Sequence, residues 1–128
     1  MPDDASPDLA TLAVTIGYEF ADLQLLRQAM AHRSWCAETP GERSNERLEF
    51  LGDAVLGWVI ADIAFHQFDA LAEGLLTDLR KSVVNASALA EVAETIGIGP
   101  HLLLGKGEAS AGGAEKSSIL SDAFEAVL

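Results

Sequence analysis

The stretch Asn45–Leu56 reads NERLEFLGDAVL and places three carboxylates, Glu46, Glu49 and Asp53, in an otherwise apolar run. A helix advances about 100° per residue, so these three positions lie within a sector of about 60°. Apolar residues occupy almost every other direction of the same helix, which predicts that the helix is buried. Three buried like charges repel one another, so the pattern predicts a positive partner, most simply a divalent metal ion.

A second acidic pair lies near the end of the sequence, where residues 117–128 read SSILSDAFEAVL. Asp122 and Glu125 are three residues apart and share one helix face, and Ser117 or Ser118 is the expected N-cap. Two helices that present acids to each other form a site of oxygen ligands. Oxygen ligands without Cys or His favour Mg²⁺ or Mn²⁺ over zinc or copper.

The composition indicates one small all-α domain. Hydrophobic residues make up 49% of the 128 residues and aromatic residues only 6%, and the abundance of Ala and Leu favours helices. We expect residues 1–8 to form a disordered acidic leader and residues 9–128 to form the domain. The single cysteine, Cys36, excludes an internal disulfide framework and suits a reducing compartment.

The sequence carries no targeting or membrane signal. The acidic N-terminus lacks the basic and apolar regions of a signal peptide. The longest apolar run, 54–61, has eight residues, far fewer than the roughly 18 that a membrane-spanning helix needs. We therefore expect a cytoplasmic protein without membrane contact.

Apolar spacing and breakers predict where the helices begin and end. We expect a loop over 37–44 and a mobile, glycine-rich loop over 105–116. Leu75 and Val83 are among the side chains expected to face inward. The predicted helices are 9–16, a second one capped by Asp22, about 45–68, one from Glu73 to Val84, 85–96, and one from 117 onward.

At these residues the chain resembles bacterial ribonuclease III. The signature ERLEFLGDAVL runs unbroken over 46–56, and the likeness covers about residues 10–128 in the expected order and spacing. The further matches are HRS at 32–34 after GYEF at 17–20, EG-x-L-x-x-LR at 73–80, LLLGKGE at 102–108 and GG-x-x-KSSIL-x-D-x-x-E at 112–125.

The resemblance implies the helical endonuclease-domain fold of ribonuclease III and its activity. Glu49, Asp53, Asp122 and Glu125 match the family's catalytic, metal-coordinating carboxylates, which would hold two Mg²⁺ ions, with Mn²⁺ as a substitute. Double-stranded RNA is then the substrate, and water attacks the phosphodiester. The products would carry 5′-phosphate and 3′-hydroxyl ends, and the cellular role would be rRNA and mRNA processing.

Other positions match family residues with supporting roles, and each has a simpler alternative. Glu46 would support the site, or else pair with a neighbouring arginine. Glu73 would lie near the RNA, or else be a first-turn acid favoured by the helix dipole. Phe50 would insert into the partner of a symmetric homodimer, or else be a core residue. Lys116 would contact phosphate, or else be solvated, and Arg47 would orient carboxylates or form an interfacial salt bridge.

Two features depart from the family pattern. A formal net charge of −12 opposes RNA binding, and the basic double-stranded-RNA-binding domain of the family is absent, so we expect a catalytic domain truncated at its C-terminal end. One alternative is a weak or inactive RNA-binding or ribosome-associated subunit of the same fold. A di-iron helical bundle is excluded because it needs Glu-x-x-His pairs. His32 and Ser34 are interpreted as hydrogen-bonding structural residues.

Overall fold

The computed structural model describes residues 8–128, which form helices and a single isolated bridge between Ala31 and Leu103. The all-α prediction is confirmed, whereas the expected leader lies outside the described residues apart from Asp8. No helix in this part of the chain combines the length and apolar character that crossing a bilayer requires. The α-helices are α1 (Leu9–Ile16), α2 (Leu23–Ala29), α3 (Arg33–Glu38), α4 (Glu46–Gln67), α5 (Glu73–Val83), α6 (Ala86–Thr95), α7 (Lys106–Ser110) and α8 (Ser117–Val127), with short 3₁₀ helices at Gly99–His101 and Gly113–Glu115.

Local capping residues explain why several helices begin and end where the sequence predicts. The side chains of Asp8, Asp22 and Asn85 accept hydrogen bonds from backbone N–H groups in the first turns of α1, α2 and α6. Gly17 ends α1 with a φ of 82°, a left-handed conformation that glycine adopts without steric cost. These boundaries follow from short-range chemistry, so the sequence reveals them.

Two predicted loops differ from the structure, the first only at its beginning and the second over most of its length, because helices held by distant residues occupy these positions. Residues 37 and 38, expected in a loop, close α3, and the expected mobile loop contains α7 and a 3₁₀ helix. The backbone N–H of Gly105 donates to Ser34 Oγ at 2.8 Å, and that of Lys106 donates to Glu38 Oε2 at 2.9 Å. These partners are far apart in sequence, so local composition does not reveal them.

The last helix, α8, lies at the centre of the fold. It packs against α2, α4 and α6, and six of its residues are buried, including Ser121 and Glu125. The prediction that Ser117 or Ser118 caps α8 is wrong: Lys116 holds the N-cap position and no side chain caps the helix. The largest fully buried side chains of the described residues are Leu12, Leu26, Met30, Ile98 and Leu120, the last of which belongs to α8.

The prediction that α4 is buried is wrong for the single chain. Only Gly52, Leu56 and Ala64 of this helix are buried, and Phe50 is 79% exposed. Helix α5 has no buried residue, and Leu75 and Val83, expected to face inward, are exposed as well. The apolar pattern predicts that this surface avoids water. It does not show whether the chain itself or another molecule covers the surface. The exposed apolar residues of α4 and its C-cap are Phe50, Leu51, Val55, Trp58, Val59, Ile63, Phe65 and Phe68.

Candidate metal centre

The centre lies where α4 crosses α8, and Gly52 makes this crossing close. A Cβ atom built on Gly52 would lie 1.6 Å from the backbone oxygen of Glu125, so a side chain at this position does not fit. Glu49 and Asp53 stand on either side of Gly52 along α4. The contact at Gly52 therefore brings their carboxylates to the acidic face of α8.

Asn45 fixes the beginning of α4. Its side chain is buried, and its Nδ2 donates to the carbonyl oxygen of Ala29 at 2.9 Å. Its backbone N–H donates to the carbonyl oxygen of Ala31 at 2.8 Å. The first turn of α4, which carries Glu46 and Glu49, is thereby attached to the end of α2.

The structure brings three of the four predicted ligands into one compact group. Glu49, Asp122 and Glu125 each offer a carboxylate oxygen within 4.8 Å of the others. Asp53 lies outside this compact group, but it is close enough to Glu125 to raise the pKa of that carboxyl group. Burial decreases from Glu125, which is buried, to Glu49, which is half-buried, and Asp122, which is exposed.

The electrostatics of the cluster favour a bound cation. Burial, the hydrogen bond with Asp53 and the nearby negative charges raise the pKa of Glu125 to about 8. Burial also raises the pKa of Glu49, with Asp122 and Asp53 adding to the effect. Protonation of Glu125 relieves the repulsion among these carboxylates, and a bound cation would relieve it as well. Clustered carboxylate oxygens are the donor set that Mg²⁺ and Mn²⁺ prefer.

The predicted supporting acids lie outside the compact group. Glu46 accepts a hydrogen bond from Ser44 Oγ at 2.8 Å. Its charge also raises the pKa of Glu49, but less than burial, Asp122 and Asp53 do. Glu73 is an exposed acid in the first turn of α5. Neither Glu46 nor Glu73 belongs to the compact group of carboxylates, so the roles of both residues stay predictions.

The residues predicted to contact a partner subunit or RNA have different surroundings in the structure. Phe50 is exposed on α4 and, together with Glu46 and Arg47, lines a groove of about 590 Å³. Lys116 is already paired, because its Nζ lies 2.6 Å from Glu108 Oε2. Any contact of Lys116 with phosphate must therefore compete with Glu108.

Sequence reasoning missed the roles of Gly52 and Asn45. The signal for Gly52 was available, because a glycine inside an apolar helix is unfavourable and usually marks a close approach of another backbone. Asn45 offered no such signal, since an asparagine before a helix normally caps it. Here its amide turns back to α2 instead.

Fold and site together define an all-helical domain with a cluster of carboxylates at the crossing of two helices. The family profile described as Ribonuclease-III-like matches residues 22–128. The nuclease domain of ribonuclease III from Campylobacter jejuni superposes with a TM-score of 0.87 at 42% identity, covering 94% of this chain and 81% of that one. This chain therefore belongs to the ribonuclease-III-like family.

Curated relatives extend the same likeness. Ribonuclease 3 of Mycolicibacterium paratuberculosis is 53% identical over 116 residues, which cover 88% of this chain and 48% of that protein. Ribonuclease 3 of Symbiobacterium thermophilum is 50% identical over 119 residues, covering 93% and 50%. The chain spans about half the length of the curated relatives it matches.

Proposed function

We propose that this chain is the nuclease domain of a divalent-metal-dependent endoribonuclease that cleaves double-stranded RNA. The observation that carries the proposal is the meeting of Glu49, Asp122 and Glu125 in one compact group, with Asp53 near enough to Glu125 to raise its pKa. Membership of the ribonuclease-III-like family supports the choice of substrate. The proposal includes a cytoplasmic location and a role in rRNA and mRNA processing.

The four carboxylates are the residues that would hold Mg²⁺, with Mn²⁺ as a substitute. Bound Mg²⁺ supplies a water of lowered pKa and neutralises charge on the scissile phosphate. Glu125, whose pKa is raised, must be ionised before its oxygens bind a cation. Gly52 keeps the two helices close enough for acids of both to serve one site.

Water, not the ribose 2′-hydroxyl, is the proposed nucleophile. A ribonuclease that uses paired histidines would leave a 2′,3′-cyclic phosphate, and the three histidines of this chain, His32, His66 and His101, belong to three separate segments. Attack by water leaves 5′-phosphate and 3′-hydroxyl ends. These ends are the chemical signature of the proposal.

A symmetric homodimer is part of the proposed function. Helix α4 exposes large apolar residues, among them Phe50, Trp58 and Phe65, and a surface of this kind marks a protein interface. The nuclease domain from Campylobacter jejuni is described as structurally flexible in a region involved in dimer formation. Two centres in one dimer would cut the two strands of a duplex, which is recognised by its A-form shape.

End-group analysis tests this function. A long RNA duplex is incubated with the chain, with and without Mg²⁺, and we expect Mg²⁺-dependent fragments with 5′-phosphate ends. Asp122→Asn should abolish this cleavage, whereas Glu115→Gln, which removes an exposed charge just before α8, should retain it. Cyclic phosphate ends or metal-independent cleavage would overturn the mechanism. A folded chain that does not cleave would favour the inactive, RNA-binding alternative.

A further inference from the structure

An ion pair joins the two ends of the glycine-rich segment 105–116. The Nζ of Lys116 lies 2.6 Å from Oε2 of Glu108 and donates a hydrogen bond to it. Glu108 belongs to α7, and Lys116 is the N-cap residue of α8. The pair therefore connects α7 directly to the helix that carries Asp122 and Glu125.

The two partners of this pair differ in how firmly they are held. The side chain of Glu108 is 21% exposed and that of Lys116 is 46% exposed. A Cβ atom built on Gly113 would lie 2.7 Å from Cγ of Glu108, so the glutamate side chain packs closely on this glycine. Helix α7 is itself anchored to α3, because the backbone N–H of Lys106 donates to Glu38 Oε2 at 2.9 Å. The carboxylate is thus fixed in place, whereas the long, flexible lysine is free to move away from it.

The carboxylate of Glu108 attracts positive charge that is scarce in this chain. The sequence has eight lysines and arginines and a net charge of −12. The hydrogen bond from Lys116 is the main reason why the pKa of Glu108 is lowered, and Arg33 on α3 adds to the decrease. Carboxylate and phosphate oxygens accept charge-assisted hydrogen bonds from the same cations. Glu108 therefore occupies the partner position at Lys116 that a phosphate of RNA would take.

We propose that Glu108 makes an autoinhibitory contact, which holds Lys116 in an ion pair and must open before Lys116 binds a phosphate of duplex RNA. The inference rests on the proposed function, because it describes a control on the binding of the proposed substrate. A partly exposed ion pair contributes little to stability, so a phosphate replaces the carboxylate without disturbing the fold. The closed pair lowers the affinity for RNA below the value that a free Lys116 would give.

Substitutions at three positions separate this contact from the effect of net charge. Glu108→Gln removes the charge and keeps the size of the side chain that packs on Gly113, whereas Glu108→Asp keeps the charge and draws it back from Lys116. Glu115→Gln is the matched control: it removes the same charge beside Lys116, and Glu115 is exposed and in no ion pair among the described residues. Lys116→Gln, alone and combined with Glu108→Gln, completes a double-mutant cycle.

Fluorescence anisotropy with a labelled RNA duplex, recorded without metal over a range of salt concentrations, gives the deciding measurement. We expect Glu108→Gln to bind about 2- to 5-fold more tightly than wild type at physiological salt, and Glu108→Asp to bind more tightly as well. The slope of log Kd against log salt should steepen by up to about one in Glu108→Gln, because one more phosphate is contacted. Glu115→Gln should stay within about 1.5-fold of wild type, since salt screens exposed charges. When Lys116→Gln is already present, Glu108→Gln should change nothing.

Equal gains in affinity in Glu108→Gln and Glu115→Gln would overturn the inference, because net charge alone would then explain them. Weaker binding by Glu108→Gln, or a gain that persists without Lys116, would also overturn it. If neither the wild-type chain nor Glu108→Gln binds the duplex, the proposed substrate is wrong and the inference fails with it. Binding by the wild-type chain thus distinguishes failure of the autoinhibitory contact from failure of the proposed function.

Discussion

Glu125 is buried at the crossing of α4 and α8 and yet carries an ionisable carboxyl group. Burial and three neighbouring acids disfavour its charged form, which raises its pKa to about 8. An acid whose pKa is higher in the folded state than in the unfolded state binds protons more tightly when folded. Its contribution to stability is therefore complete below about pH 4.5 and is lost as the pH rises to about 8.

Glu125→Gln should remove this loss of stability. Without metal at pH 9, we expect the variant to unfold with a free energy higher than that of wild type by on the order of 2–4 kcal/mol. At pH 4 the two should be alike, because both then carry an uncharged group. Chemical denaturation in the presence of a chelator measures the difference. RNA cleavage should be lost, since the amide supplies no charge to a cation.

A variant that is less stable than wild type at pH 9 would show that the cluster is not repulsive in the metal-free protein. The control is Glu94→Gln, which removes an exposed acid of α6. It should leave both the stability and its pH dependence unchanged.

Helices α4 and α8 show what the sequence predicts and what it leaves open. Both helices and the acidic face of each were predictable, because carboxylates three and four residues apart in an apolar run share one direction. Which helix is central was not predictable. The apolar pattern of α4 suggests burial, but Phe50 and Trp58 are exposed, while the shorter α8 occupies the core.

The segment around α7 was missed for a related reason. The glycines and alanines of this segment favour a loop. In the structure, Ser34 and Glu38 pack against Gly105, and Glu108 packs against Gly113, so there is little room for a side chain at either glycine. The composition of the segment shows that its residues are small, but it does not show which residues lie next to them in the fold. Contacts between segments some 70 residues apart are seen only in the folded chain.

The crossing of α4 and α8 makes a direct prediction at Gly52. Gly52→Ala should lower the free energy of unfolding by about 3 kcal/mol or more, because the new methyl group meets the backbone of Glu125 rather than a flexible side chain. Mn²⁺ binding should weaken as the acids of the two helices move apart. Thermal unfolding and calorimetry measure the two effects.

Gly57→Ala is the matched control on the same helix. A Cβ at Gly57 has no atom within 4 Å, so alanine should stabilise the helix by up to about 1 kcal/mol. Equal effects at the two glycines would contradict the account of the crossing.

At the scale of the whole molecule, two properties matter for association: large apolar residues such as Phe50 and Trp58 are exposed on α4, and the net charge is −12. The first property favours association with a second copy, and the second disfavours association with RNA. The sequence has eight lysines and arginines, and within residues 8–128 Arg27 and Lys116 already form ion pairs with glutamates. Few cations are therefore available to contact phosphates.

Phe50→Asp should convert the proposed homodimer into a monomer. A charge in the middle of an apolar interface would be buried without a partner. Sedimentation analysis should give the dimer mass for wild type and the monomer mass for the variant. Val14→Asp is the control, because Val14 on α1 is 80% exposed and should tolerate the change. A wild-type monomer at tens of micromolar would contradict the proposal.

The charge predicts weak binding of duplex RNA by this chain in the absence of metal. Few lysines and arginines are available to release counterions, so we expect a Kd on the order of 10⁻⁶ M or weaker at physiological salt. The slope of log Kd against log salt should be shallow. Fluorescence anisotropy with a labelled duplex measures both, and nanomolar binding would show that an RNA-binding surface had been overlooked.

The central claim is that carboxylates of α4 and α8 hold a divalent cation together. Anomalous diffraction from crystals soaked in Mn²⁺ tests it most directly, because manganese is located without reference to activity. The account predicts an anomalous peak bounded by Glu49, Asp122 and Glu125. A fully soaked crystal with no peak at this crossing, or with manganese only at other surface acids, would contradict it.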